Sequence, residues 1–230
     1  MQIVFILVNP AVPGNIGAAA RAIKTMGFTD LRLVNPCKHL GEEARLLAHA
    51  SGEILESAKV FSSLNEAIGD IDFVIGTTSR RRTIRNRFFL LRDLPGVILE
   101  KGSTVNRIAI VFGSEESGLS NDDANHCHIL STVPMAIKYP SLNLAQAVMI
   151  YAYELSELAG RKTRKAAHNN NENSWKALHE KTIQLLELID MPDGDLIRYK
   201  LLERLALLGE KDVYLLHSII GKIIRKSNSH

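Results

Sequence analysis

Five short runs of aliphatic and β-branched residues, at 3–8, 31–34, 73–77, 108–112 and 129–133, alternate with stretches of helical spacing, such as 15–26, 42–49 and 142–158. That alternation most restricts the fold, because strands separated by helical patterns are joined by crossovers rather than hairpins. It predicts an α/β domain with a mostly parallel sheet and helices on both faces. Gly27 follows the first helical stretch, where a glycine ends a helix as its C-terminal cap. The run at 3–8 is too short to span a bilayer and no basic leader accompanies it, so it reads as a first strand, with no membrane partner and a cytoplasmic location expected.

The chain of 230 residues, 46% hydrophobic and 23% charged, has material for one core and a small appendage. The boundary lies where Arg161-Lys162-Thr163-Arg164-Lys165 gives way to Asn169-Asn170-Asn171-Glu172-Asn173, a composition suited to a linker. Three amphipathic patterns follow, at 175–189, 196–208 and 213–224, punctuated by Met191-Pro192-Asp193-Gly194 and Gly209. The expected organisation is an α/β domain over 1–160, a linker over 161–173 and an all-helical C-terminal extension over 174–230. Cys37 and Cys127 have no metal-ligand spacing and are expected as reduced thiols. The eight histidines show no ligand pairing either, so no metal is expected.

A net charge of +3 names no partner, but its distribution is uneven. Residues 160–230 hold 13 basic and 9 acidic side chains, and Arg80, Arg81, Arg82, Arg85 and Arg87 crowd one loop region. Clustered guanidinium groups pair with phosphates and displace counterions, so polyanion binding is one reading and a solvated arginine-rich loop the other. Phe88 and Phe89 beside this loop, and Tyr139, can stack on bases; core packing or dimer burial serves the phenylalanines equally well.

No G-x-G-x-x-G and no P-loop pattern occurs, which excludes the usual phosphate-cradling turns. Glycines stand instead at strand ends, Gly76 before Thr77-Thr78-Ser79 and Gly113 directly after 108–112. Ligands of open α/β sheets collect outside the carboxyl ends of the strands, so loops 77–79, 113–119 and 133–143 can converge on one site. Their backbone amides and carbonyls can hold an adenine and a carboxylate. Ser141, Leu142 and Asn143 precede the apolar run 144–151, placing a polar cap at the mouth of a buried helix. On the first helix, where Arg21 is nearly in line with Asn15, Gly17, Ala18 and Ala20 give a small-residue face that another backbone can approach, and the helix start can meet phosphate.

Three segments, Asn15-Ile16-Gly17-Ala18-Ala19-Ala20-Arg21, Gly113-Ser114-Glu115-Glu116-Ser117-Gly118-Leu119 and the stretch through Val133, Pro134, Met135, Ser141, Leu142 and Asn143, resemble in order the three motifs of the SpoU-type RNA ribose methyltransferases. The likeness covers roughly residues 1–158. In the TrmJ and LasT branch of that family the domain precedes a short C-terminal extension, as here. The resemblance implies a deep trefoil knot, a homodimer, and S-adenosylmethionine held against Thr77, Thr78, Ser79, Gly113, Gly118, Val133, Leu142 and Asn143. It assigns Arg21 a catalytic role at the ribose 2′-hydroxyl; Asn15, Glu115, Ser141 and Asn143 are the further polar candidates for that site, and Arg21 with the clustered Arg80, Arg81, Arg82 and Arg85 are the candidates for RNA contact.

Residue chemistry leaves more than one role open. A guanidinium has a pKa above about 12 and no free acceptor, so Arg21 is a poor general base and is expected to orient or electrostatically activate the hydroxyl. As an isolated residue it reads as a surface ion pair. Glu115 can equally cap a turn, and Ser141 can serve as the N-cap of the last α/β helix. Methyl transfer from a sulfonium needs alignment and no metal. The expected activity is 2′-O-methylation of tRNA, with rRNA second; the alternatives are a non-catalytic dimeric RNA-binding protein of the same fold and a nucleotide-binding regulator, which the missing phosphate loop disfavours.

Overall fold

The computed structural model describes residues 1–79, 88–137, 141–160 and 174–227. In chain order the elements are β1 (Gln2–Val8), α1 (Pro13–Thr25), β2 (Asp30–Val34), α2 (Glu42–Ala48), α3 (Gly52–Glu56), β3 (Lys59–Phe61), α4 (Leu64–Ala67), β4 (Phe73–Thr77), β5 (Phe89–Leu90), α5 (Leu94–Glu100), β6 (Arg107–Phe112), α6 (Asn121–Asn125), β7 (Ile129–Thr132), α7 (Leu144–Glu154), α8 (Trp175–Leu188), α9 (Leu196–Leu205) and α10 (Glu210–Ser227). They divide into two units, Met1–Pro95 with Arg107–Arg161, and Gly96–Asn106 with Lys162–His230. No described helix is long and apolar enough to cross a membrane.

In the first unit seven strands form one sheet in the order β3-β2-β1-β6-β4-β7-β5, and each described pairing is parallel. The strands expected from sequence are its interior. Val4, Phe5, Ile6 and Leu7 of β1 and Ile108, Ala109, Ile110 and Val111 of β6 are fully buried, as runs covered on both faces must be. The two strands absent from the sequence expectation, β3 and β5, are the edges, with only three and two residues. Phe112 joins Phe5 to Tyr151 of α7 through ring contacts at 6.3 and 5.3 Å. The Tyr151 hydroxyl donates to Ser131 Oγ at 3.0 Å.

Helix α1 lies against α2 through its glycines. A Cβ on Gly14 would meet Glu43 Oε1 and Leu47 Cδ1, each at 2.7 Å, and one on Gly17 would overlap the backbone carbonyl of Ala44. Gly27 takes φ +85° just past α1, the left-handed conformation a helix-ending glycine supplies. The helix expected over 142–158 starts at Leu144 and stops at Glu154, followed by a tight turn at Ser156–Leu158.

On β2, Arg32 is only 2% exposed, and it donates through Nη1 to Asp70 Oδ1 at 2.5 Å and through Nη2 to Asp70 Oδ2 at 3.0 Å. Arg107 reaches the same carboxylate. The Arg32 hydrogen bonds, reinforced by both positive charges against a partial desolvation cost, hold Asp70 down at about 2.

The second unit packs around Trp175, which is fully buried and donates from Nε1 to the Leu205 carbonyl at 3.2 Å. Lys101 is buried beside it, with Nζ 5.6 Å from the indole centroid and donating to the carbonyls of Ala206 (2.6 Å) and Leu208 (2.8 Å) at the end of α9. Burial pushes its ammonium down to about 7. Glu210, in the first turn of α10, accepts from the Ser103 backbone at 3.0 Å.

Candidate functional site

The three loops singled out by sequence leave neighbouring strands. Because β6, β4 and β7 are adjacent, Thr77 at the end of β4, Gly113 after β6 and Val133 after β7 open at the same edge of the sheet. Thr78 N donates to the Ser131 carbonyl at 2.9 Å, tying the first loop to the end of β7, from which the third loop leaves. The second loop folds back on itself: Gly118 N donates to Ser114 O at 2.9 Å, and Gly118 takes φ +69°. A Cβ on Gly113 would overlap the backbone of Gly118, so the reversal requires a glycine there.

Next to this edge a polar cluster joins three loops. Glu115 accepts from Ala11 N at 2.9 Å, Val12 N at 3.3 Å and Asn15 Nδ2 at 2.8 Å, so one carboxylate fixes the loop after β1 and the start of α1. Burial pushes this carboxyl up, but those hydrogen bonds outweigh it, and the net displacement is downward. Asn143 Nδ2 donates to Asn15 Oδ1 at 2.9 Å, while Asn143 Oδ1 accepts from Ala145 N at 2.8 Å. Gln146 Oε1 returns to accept from Asn143 N at 3.0 Å, completing a reciprocal cap of α7. Cys37 is half-buried beside the cluster, its N donating to Pro10 O at 3.1 Å; burial first, then the Glu115 charge, pushes its thiol up.

Asn15, Glu115 and Asn143 are therefore brought into one hydrogen-bonded chain. Arg21 is exposed on α1, two turns further along, and its guanidinium has no hydrogen bond or ion pair among the described residues. Ser141 is exposed and does not cap α7, as Asn143 occupies that position. Leu142 and Val133 are half-buried, and Ser79 and Gly118 exposed. Arg80, Arg81, Arg82, Arg85, Arg87, Tyr139 and the linker basics Lys162, Arg164 and Lys165 lie outside the described residues.

Phe88 packs against the core cluster, and the backbone of Phe89 pairs with Ser131 in the sheet. The donors Ala11 and Val12 went unnoticed in the sequence because backbone N–H groups leave no side-chain signature. Gln146 had a signal, the Asn-x-x-Gln spacing of a reciprocal helix cap. Among the described residues no group of histidines, cysteines and carboxylates has the arrangement to hold a metal ion.

Residues 2–153 match the SpoU rRNA Methylase family, and residues 172–227 match the C-terminal domain of tRNA/rRNA methyltransferase LasT. Over 223 residues the chain is 41% identical to tRNA/rRNA methyltransferase LasT of Escherichia coli K12, covering 97% of each protein. It is 40% identical over 159 residues to tRNA (cytidine-2′-O-)-methyltransferase TrmJ of Methanocaldococcus jannaschii, covering 67% of each. The crystal structure of TrmJ from Z. mobilis ZM4 aligns with a TM-score of 0.66 at 29% identity, over 97% of this chain and 99% of that one.

Proposed function

The chain belongs to the SpoU rRNA methylase family, whose members are S-adenosylmethionine-dependent methyltransferases, and from that premise we propose that it methylates the 2′-hydroxyl of a ribose in tRNA. The observation carrying this reading is the Glu115–Asn15–Asn143 chain, which joins the acceptor-side helix α1 to the loops at the ends of β6 and β7. Thr77, Thr78, Ser79, Gly113, Gly118, Val133 and Leu142 hold the donor. They fit it chemically: hydroxyls and peptide groups can bond an adenine edge and an amino-acid moiety, and none is a cation that would repel a sulfonium. When bound, S-adenosylmethionine supplies an already activated methyl group, leaving alignment as the protein's task.

Arg21 holds the acceptor ribose through its phosphate and favours the developing negative charge on the 2′-oxygen. Glu115 is a positioning residue: its carboxylate is engaged by three donors and held below its ordinary range, both unfavourable for accepting a proton. Asn15 and Asn143 transmit that positioning to the helix starts.

The carboxyl-terminal half of the domain over 1–160 is threaded as the family's deep trefoil knot, and two copies pack through α7. Leu144, Val148, Tyr151 and Ala152 occupy the inner face of α7, while Tyr153 stands 67% exposed outside it. The extension over 174–230 adds RNA affinity rather than chemistry. Of its basic residues, Arg198 is unavailable to phosphate, being buried with Nη2 on Asp193 at 2.7 Å and Nη1 on the Met191 carbonyl at 2.8 Å. Lys200 and Arg204 remain exposed.

Mass-spectrometric mapping of 2′-O-methyl nucleotides in RNA from cells with and without the protein tests the assignment. Loss of a tRNA ribose methylation is the expected result. Unchanged RNA, together with retained RNA binding by the purified protein, would instead indicate a non-catalytic RNA-binding protein.

A further inference from the structure

Between α8 and α10, within the second unit, lies a cleft of about 400 Å³. Its walls follow helical spacing, Lys181 and Gln184 from α8 facing His217, Ser218, Gly221 and Arg225 from α10. Lys181 has no carboxylate partner among the described residues, and Arg225 Nε donates to the Gly221 carbonyl at 3.0 Å, which aligns its guanidinium along the helix. Two cations therefore face the cleft from opposite walls, together with an amide and a hydroxyl, a donor set suited to phosphate oxygens.

His217 adds a different group. It is 6% exposed, and its Nε2 sits 2.9 Å from the Ser174 carbonyl. A carbonyl only accepts, so Nε2 carries the proton, and in the neutral ring Nδ1 is an acceptor. That Nδ1 is buried without a hydrogen-bond partner. Burial, with Lys181 adding to it, holds the ring below its ordinary range against the pull of the Ser174 bond, which keeps the neutral form. An unpartnered buried acceptor is costly and calls for an external donor.

Gly221 is the third feature. It sits inside an 18-residue helix, where glycine is less favourable than alanine, yet a Cβ there would meet nothing within 4 Å. Close packing therefore does not require the glycine. Its effect is to leave room in the cleft.

We propose that this cleft binds one ribose-phosphate unit of RNA, with Lys181 and Arg225 on the phosphate and His217 Nδ1 accepting from the 2′-hydroxyl. The site rests on the RNA-directed reading above and deepens it, since a phosphate beside a hydroxyl donor distinguishes RNA from DNA at this position. Its lining shares no residue with the Asn15–Glu115–Asn143 cluster or with the proposed donor-binding residues.

The test measures binding of an unmodified tRNA transcript by full-length protein across a salt series. The Lys181→Gln/Arg225→Gln double variant is expected to lose about tenfold in affinity near physiological salt and about two units of salt slope, with S-adenosylmethionine binding unchanged by calorimetry. Gly221→Leu, which fills open space, is expected to weaken tRNA binding with no loss of unfolding temperature. His217→Phe is expected to lower the preference for an RNA hairpin over its 2′-deoxy counterpart.

Unchanged affinity and slope in both the double variant and Gly221→Leu, in a protein that still binds and methylates tRNA, would overturn the site alone. A wild-type protein that binds no RNA would overturn the site and the proposed function together. Stabilisation by inorganic phosphate that depends on Lys181 and Arg225, with RNA binding unaffected by their loss, would assign the cleft to a free anion and also overturn the RNA site.

Discussion

Asn143 donates from Nδ2 to Oδ1 of Asn15 at 2.9 Å, across 128 residues of sequence. One side chain thus caps α7 through Oδ1 and secures the start of α1 through Nδ2. The two helix starts are thereby tied to each other, and Glu115 anchors the pair to the loop after β6.

This link is measurable as a coupling. Asn143→Ala should cost about 1 kcal/mol from the lost cap alone, and more with the link to Asn15 broken. Denaturant unfolding of Asn143→Ala, Asn15→Ala and the double variant should give a coupling of about 0.5–1 kcal/mol. Additive effects would mean that the amides do not act as a pair.

Arg21→Ala should abolish methylation while leaving S-adenosylmethionine affinity near wild type, because the role proposed for the guanidinium is toward the acceptor and not the donor. Arg21→Lys should also be severely impaired, since an ammonium lacks the planar fork that grips a phosphate bidentately. Single-turnover assays at saturating donor check both, and a wild-type rate for Arg21→Ala would remove the residue from the mechanism.

Asp70→Asn should destabilise the α/β unit by about 2–3 kcal/mol, because it leaves the buried Arg32 with only Asp30, 3.9 Å from its Nε, as a counter-charge. With a folded pKa near 2 against an ordinary 3.8, the Asp70 contribution is complete above about pH 4 and is lost as pH falls toward 2. Asp70→Asn should therefore have a flatter acid-unfolding profile than wild type by fluorescence or circular dichroism. Half of the Asp70 side chain is in solvent, which keeps the effect modest.

The protein should scatter light as a dimer at micromolar concentration, and Tyr153→Glu on the outer face of α7 should shift it toward monomer. Loss of donor binding should accompany that shift if the site needs both copies. A monomeric wild-type protein, or a dimer indifferent to Tyr153→Glu, would place the interface elsewhere.

The buried strands were readable because both their faces meet the core, and a continuous aliphatic run such as Ile3-Val4-Phe5-Ile6-Leu7-Val8 has no other economical use. Edges were not. Lys59-Val60-Phe61 and Phe89-Leu90 are too short to carry a period, and their pairing depends on neighbours distant in sequence. The candidate residues Asn15, Glu115 and Asn143 could be named from their motifs, but their connection depends on the strand order, which places the loop after β1 beside the loop after β6. Buried charges were the least legible residues. Arg198, a basic residue of the extension, is spent on Asp193 and Met191, while nothing in Leu31-Arg32-Leu33 announced that Arg32 is buried and pairs with the half-exposed Asp70.

The contact between Gly17 and the Ala44 carbonyl gives α1 a hard stop on one side, with the sheet behind it. A single methyl group added at Gly17 would act as a wedge, prising α2 away or tipping α1, and the tilt would reach Asn15 within half a turn. The width of that wedge, about the length of one carbon–carbon bond, is comparable to the misplacement of about 1 Å that costs an enzyme some hundredfold in rate. The accuracy with which the acceptor would be presented is thus set by a hydrogen atom standing where every other amino acid carries a carbon.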